Sequence, residues 1–178
     1  MNAIKTIETK FEEIFVKNAP ELPLNIKQFI VRYLPWVNLI LGVLALWVAY
    51  SLWFWAHNVD RFAQYTNGLN ASYGGATIDL DRMSFGLWLA VAVLLVEAVI
   101  YIAAFPATRK REKKGWDLMF YAALINVAYA FVVVFTSYGS FGGLIMSLVG
   151  SAIGFYLLFQ IRSHYLKQVH ARKLSKKD

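Results

Sequence analysis

Glu97 is the residue of this chain whose chemistry is hardest to explain by packing alone. It lies inside the apolar stretch Ser84 to Phe105, and about 20 apolar residues in a helix are enough to cross the hydrocarbon core of a membrane. An ionisable side chain at that depth is costly and is often functional. Since no Lys, Arg or His interrupts the long apolar stretches, we expect Glu97 to be a neutral acid that donates and accepts hydrogen bonds.

Five polar side chains are the candidate partners of this carboxyl group, namely Asn126, Tyr50, Tyr101, Tyr129 and Ser147. Asn126 is the first choice of partner, because helical stepping and depth along the span both permit the contact. Two interpretations remain open. Glu97 either fixes the register of the helices through hydrogen bonds, or it is the proton or cation site of a small transporter or channel.

The sequence contains no recognisable catalytic or metal-binding constellation. It has no glycine-rich phosphate loop, no serine nucleophile elbow and no cysteine. His164 and His170 are six positions apart and do not share a helix face, as metal ligands on a helix would. For Asp79 and Asp81, a helix N-cap formed by one of these two residues or by Ser84 is a better explanation than metal binding. We therefore expect no enzymatic activity, no cofactor and no bound metal.

Composition indicates an integral membrane protein. Of the 178 residues, 58% are hydrophobic and 16% are charged, whereas soluble proteins have about 45–50% and about 25%. Four apolar stretches have the length of a membrane-spanning helix. They cover residues 36–56, 84–105, 116–137 and 141–161.

The predicted fold is an all-α, polytopic bundle of four transmembrane helices, with a flanking segment on each side. In the first segment, 1–34, apolar residues recur at helical spacing among charged ones, which predicts an amphipathic helix that lies on the membrane surface or packs against protein. Pro35 is expected to open the first span. The transmembrane domain covers 35–161, and a basic helical tail covers 162–178.

The distribution of positive charge predicts the orientation. Sixteen of the 18 Lys and Arg residues fall on one side of the four predicted spans, and such an excess marks the cytoplasmic side. Both termini and the basic loop 106–115 are therefore expected in the cytoplasm of a plasma or inner-membrane protein, and the loop 57–83 outside. This charge requires no nucleic acid. We expect it to contact anionic lipid headgroups through Arg109, Lys110, Arg111, Lys113, Lys114, Arg162, Lys167, Arg172 and Lys173.

Small residues recur on one face of each predicted span, where they let membrane helices approach closely. Gly150 and Gly154 belong either to the interior of the bundle or to a dimer face. The positions expected at helix contacts are Gly86, Ala90, Gly42, Ala45, Gly143, Ser147, Gly150 and Gly154.

Taken together, these features predict a non-enzymatic membrane protein that works by association, as an accessory or scaffolding subunit. Its expected partners are the lipid bilayer and either further copies of itself or a larger membrane complex. The alternative is a small oligomeric transporter or channel that uses Glu97.

Overall fold

The computed structural model describes residues 3–74, 81–136 and 139–174. Within these ranges the chain is helical and has no strands, which confirms the predicted all-α class. The elements are α1 (Ala3–Glu12), a π-helical turn (Glu13–Lys17), α2 (Leu24–Tyr73), α3 (Asp81–Arg109), α4 (Lys113–Val133) and α5 (Phe141–Leu174).

Four of the helices, α2 to α5, are long and apolar enough to cross a membrane. Their number agrees with the four predicted spans. The agreement follows from composition, because long uninterrupted apolar runs satisfy their backbone hydrogen bonds most simply as helices.

Helix α2 is a single helix of 50 residues. Over the same residues the sequence predicts the end of the amphipathic segment, the first span and the start of the outer loop. Pro35 lies inside it and is buried. Beyond the predicted span, Asn58 and Thr66 donate side-chain hydrogen bonds to carbonyl groups four residues earlier. These bonds allow polar residues to remain in the helix. Residues 57–73 are therefore helical, and the helix ends at Gly74, whose φ of 72° is left-handed.

The connection between α3 and α4 is much shorter than the predicted basic loop. Helix α3 continues through Pro106 to Arg109, and α4 begins at Lys113. The turn is closed by hydrogen bonds from Arg111 N to Thr108 O (2.9 Å) and from Glu112 N to Ala107 O (2.8 Å). It brings Gly115 directly against α3, since a Cβ atom at this glycine would lie 2.6 Å from Thr108 N.

The helices pack in chain order, α2 against α3, α3 against α4 and α4 against α5, while α2 and α5 share only a small contact. The main core lies at one end of this array. That end carries α1, the α3–α4 turn and the C-terminal part of α5, and we call it the basic end. There Phe11 and Phe15 of the N-terminal segment contact Phe155 and Phe159 of α5. Of the two predicted positions for the amphipathic segment, the structure has the packing against protein, and the protein is this chain.

Candidate functional site

Glu97 lies on the face of α3 that meets α4, and only 7% of its surface is exposed. Its Oε1 atom is buried and accepts no hydrogen bond from the described residues. The expected partner, Asn126, instead donates from Nδ2 to the carbonyl oxygen of Ala122 at 3.3 Å. The hydrogen bond expected between Oε1 of Glu97 and Asn126 is therefore not formed.

Two of the other candidate partners, on α3 and α4, lie near the carboxyl group, whereas Tyr50 of α2 is 63% exposed. Tyr101 and Tyr129 both lie close enough to Glu97 to interact with it electrostatically. The Tyr101 hydroxyl also forms a polar contact with the Asn126 side chain. Tyr101 therefore lies near both Glu97 and Asn126 at the α3–α4 contact.

A groove of about 330 Å³ opens beside this cluster, between α4 and α5. Tyr101, Ala123 and Asn126 line one side, and hydroxyl-bearing and small residues of α5 line the other. Those residues are Ser147, Gly150, Ser151 and Gly154. The groove therefore combines hydrogen-bonding groups with a surface that another backbone can approach closely.

The predicted small-residue contacts fall into two groups. Gly42, Ala45 and Gly86 are buried and Ala90 is half-buried. At Gly42 an added Cβ would lie 2.8 Å from Ile102 Cγ1 of α3, so α2 and α3 meet closely there.

The glycines of α5 behave differently. Gly150 and Gly154 are exposed, and a Cβ added at either would meet nothing within 4 Å. Gly143 is also exposed and contacts only its neighbour Ser140. Helix α2 contacts α5 over only a small part of the length of α5. The side-chain positions of these glycines therefore face no other helix within one copy of the described chain.

A second polar contact, between α2, α3 and α4, involves a residue that the sequence places on the small-residue face of the first span but for which it predicts no hydrogen-bond partner. Asn38, fully buried, donates from Nδ2 to Thr108 Oγ1 at 3.4 Å and to Met119 Sδ at 3.3 Å. Thr108 falls in the predicted basic loop, so its position inside α3 could not be read from the sequence. Its hydroxyl in turn donates to Ala104 O at 2.7 Å.

Arg162, expected from the sequence to contact lipid headgroups, instead points into the basic end. It forms ion pairs with Glu8 and Glu12 of α1, and its guanidinium lies 5.1 Å from the ring centroid of Trp116. The sequence contained a signal for this arrangement. Two acids four residues apart share one helix face and can bind a single cation.

The other basic positions are less enclosed. Arg109, Lys110, Arg111 and Lys114 are exposed, and Lys113 pairs with Asp117 at 3.2 Å. The side chains of Lys167, Arg172 and Lys173 lie outside the described residues. Within the described part of the chain, no group of three or more His, Asp or Glu side chains is arranged to hold a metal ion.

No protein-family model, curated protein or solved structure matches the chain. A functional conclusion therefore depends on the geometry of the groove and of the charged clusters.

Proposed function

We propose that this chain is an integral membrane protein that works by association, as a non-enzymatic accessory or scaffolding subunit. The observation that supports this proposal is the open groove on α5. Helices in a membrane associate through small residues that allow close approach and through interhelical hydrogen bonds. Gly150 and Gly154 offer the first feature, and Ser147, Ser151 and Asn126 offer the second.

The proposed orientation follows the charge distribution. With α2 to α5 crossing the membrane, sixteen of the 18 basic residues lie on the side of the termini, which we assign to the cytoplasm of a plasma or inner membrane. Glu8 and Glu12 neutralise Arg162 on that side. The groove then lies within the hydrocarbon layer.

The occupant of the groove is proposed to be a transmembrane helix. In a homo-oligomer it belongs to a second copy, and in a larger complex it belongs to another subunit. A lipid chain fits less well, because acyl chains provide no partners for two serine hydroxyls and an amide.

Self-association is tested with a single introduced thiol. The chain has no cysteine, so Ser151→Cys provides a unique reporter within the groove. We expect disulfide-linked dimers after mild oxidation in lipid bilayers. Ala152→Cys, about 100° further round the helix on an exposed part of α5, is the control and should cross-link much less.

A second experiment tests the association proposal by filling the groove with larger side chains. The double substitution Gly150→Leu, Gly154→Leu fills space that is empty in the single chain, so it should preserve the fold while it lowers association about tenfold or more. Ala152→Leu is the matched control. The proposal is wrong if the double variant associates as the unmodified protein does, both with itself and in native-membrane complexes separated by size.

A second candidate function, a small oligomeric transporter or channel, is favoured by one observation. Oε1 of Glu97 is buried without a hydrogen-bond donor, and an intramembrane carboxyl in that state can take a proton or a cation. We expect Glu97→Gln to abolish proton or cation flux into liposomes while cross-linking through Ser151→Cys is retained. Absence of flux in the unmodified protein excludes this function and leaves the association proposal intact.

A further inference from the structure

A second cavity, of about 610 Å³, lies at the basic end and is separate from the groove on α5. The first turns of α2 provide Asn25, Gln28 and Arg32 to its wall. Arg111 enters from the α3–α4 turn, and His164 enters from α5. We call this cavity the arginine pocket. No part of the association proposal uses it.

Arg32 and Arg111 are the permanently charged side chains that line the arginine pocket. Within the described part of the chain, no carboxylate lines it, and neither Arg32 nor Arg111 forms an ion pair there. Other cations near this end do have acidic partners: Arg162 pairs with Glu8 and Glu12, and Lys27 pairs with Glu21 at 3.6 Å. Two guanidinium groups that converge on one cavity without an acid favour an anionic ligand.

The backbone at Arg111 adds an independent indication. Its φ of 53° is left-handed, and it is the one such non-glycine residue within the described ranges. Glycine is the residue that usually ends a helix in this conformation. An arginine in its place strains the backbone and carries a guanidinium to the pocket wall, and strained positions of this kind are often functional.

Two aromatic side chains indicate what else the ligand contains. Phe29 and Tyr33 line the pocket, and their ring centroids are 4.6 Å apart. Both are exposed, at 63% and 45%. They precede Trp36 and the apolar part of α2, so with α2 in a membrane they lie at the boundary between headgroups and acyl chains, where aromatic residues are enriched.

We propose that the arginine pocket binds the phosphate group of an anionic phospholipid. Arg32 and Arg111 donate charge-assisted hydrogen bonds to the phosphate oxygens, since the guanidinium fork matches this geometry. The amides of Asn25 and Gln28 donate to the remaining oxygens of the headgroup. Phe29 and Tyr33 contact the glycerol and the first carbons of the acyl chains.

Binding is measured on the full chain in detergent, by native mass spectrometry during titration with phosphatidylglycerol. Phosphatidylcholine and inorganic phosphate are the comparison ligands. We expect phosphatidylglycerol to bind at least about tenfold more tightly than phosphatidylcholine, because only the former carries a net negative charge. Inorganic phosphate shares the anionic group but lacks the chains, so millimolar phosphate should not displace the lipid. Displacement by phosphate would overturn the assignment to a lipid.

Substitutions in the pocket are compared with an equal loss of charge outside it. Arg32→Gln should weaken phosphatidylglycerol binding about tenfold, and Lys17→Gln, at an exposed lysine of the basic end that does not line the pocket, should change it less than about twofold. Equal effects of the two substitutions would indicate unspecific attraction to the basic end and would contradict the proposal.

Arg111→Gly separates binding from folding. Glycine adopts the left-handed conformation without strain, so thermal stability without lipid should be equal to or above that of the unmodified protein, while lipid binding falls about tenfold. Unchanged lipid binding in this variant, together with unchanged stability, would exclude Arg111 from the site and overturn the proposal.

Discussion

Arg162 of α5 forms an ion pair with Glu8 of α1, 154 positions away in the sequence. Both side chains are largely removed from solvent, at 15% and 17% exposure. The pair therefore fixes the N-terminal segment to the basic end of the helices. Arg162 also pairs with Glu12, so removal of this arginine would leave both acids of α1 without their partner of opposite charge at this contact.

Replacing this arginine tests the attachment of α1. Arg162→Ala leaves Glu8 and Glu12 without their cation, and removal of one partner of a largely buried pair costs about 3 kcal/mol. We expect amide hydrogen exchange in residues 3–17 to become much faster while α3 is unchanged. Arg109→Ala removes an exposed arginine and is the control. Equal protection of α1 in the two variants would show that the ion pair does not hold the segment.

The side chain of Gln160 in α5 forms hydrogen bonds with the backbone of the segment that follows α1. Its Nε2 donates to Phe15 O at 3.0 Å, and its Oε1 accepts a hydrogen bond from Leu22 N at 3.2 Å. Gln160→Ala leaves these part-buried backbone groups unpaired, at a cost of about 1–3 kcal/mol. Limited proteolysis between residues 18 and 23 should accelerate several-fold. Ser163→Ala, at an exposed position on the same helix, should have no such effect.

Alanine substitutions at one glycine of α4 and one glycine of α5 are expected to change the free energy of unfolding in opposite directions. At Gly115 an added Cβ would lie 2.6 Å from the backbone nitrogen of Thr108, whereas at Gly150 it would meet nothing within 4 Å. Gly115→Ala should lower the free energy of unfolding by about 1–3 kcal/mol through overpacking. Gly150→Ala should raise it by up to about 1 kcal/mol through helix propensity. Thermal unfolding in detergent checks both, and a destabilised Gly150→Ala would contradict the open face of α5.

Asn38 provides a test of the buried polar contact near Thr108. Its Oδ1 accepts no hydrogen bond from the described residues, although the side chain is fully buried. Asn38→Leu has a similar volume and removes the unpaired oxygen, so we expect stability to be retained or increased. Asn38→Ala leaves a cavity and should be less stable by about 2 kcal/mol. A leucine variant less stable than the alanine variant would mean that the asparagine amide is a required hydrogen-bonding group.

The surroundings of Glu97 show which features of a site helical periodicity can predict and which it cannot. The sequence places Glu97 and Asn126 at a similar depth and names Tyr101 and Tyr129 among the other candidate partners, and in the structure both tyrosines interact electrostatically with Glu97. Helical stepping does not decide which atoms form hydrogen bonds. Asn126 bonds to the carbonyl of Ala122, because rotation of each helix and the side-chain rotamer set hydrogen bonds within a few tenths of an ångström.

Loop predictions were less successful where polar residues lie inside helices. Asn58 and Thr66 were assigned to the outer loop, but their side chains bond to the backbone of α2. Gly74, which lies in the predicted outer loop 57–83, ends the helix. Local composition identifies a left-handed helix end well, since few residues other than glycine adopt it.

The sequence by itself determined the all-helical class and the four helices that are long and apolar enough to cross a membrane, because length and hydropathy are properties of a contiguous stretch. Only the tertiary structure decided that Arg162 pairs with Glu8, that Gly42 is enclosed while Gly150 is open, and that Arg32 and Arg111 line one cavity. These relationships depend on the relative positions of helices distant in sequence. Packing of whole surfaces sets those positions, and no local pattern encodes them.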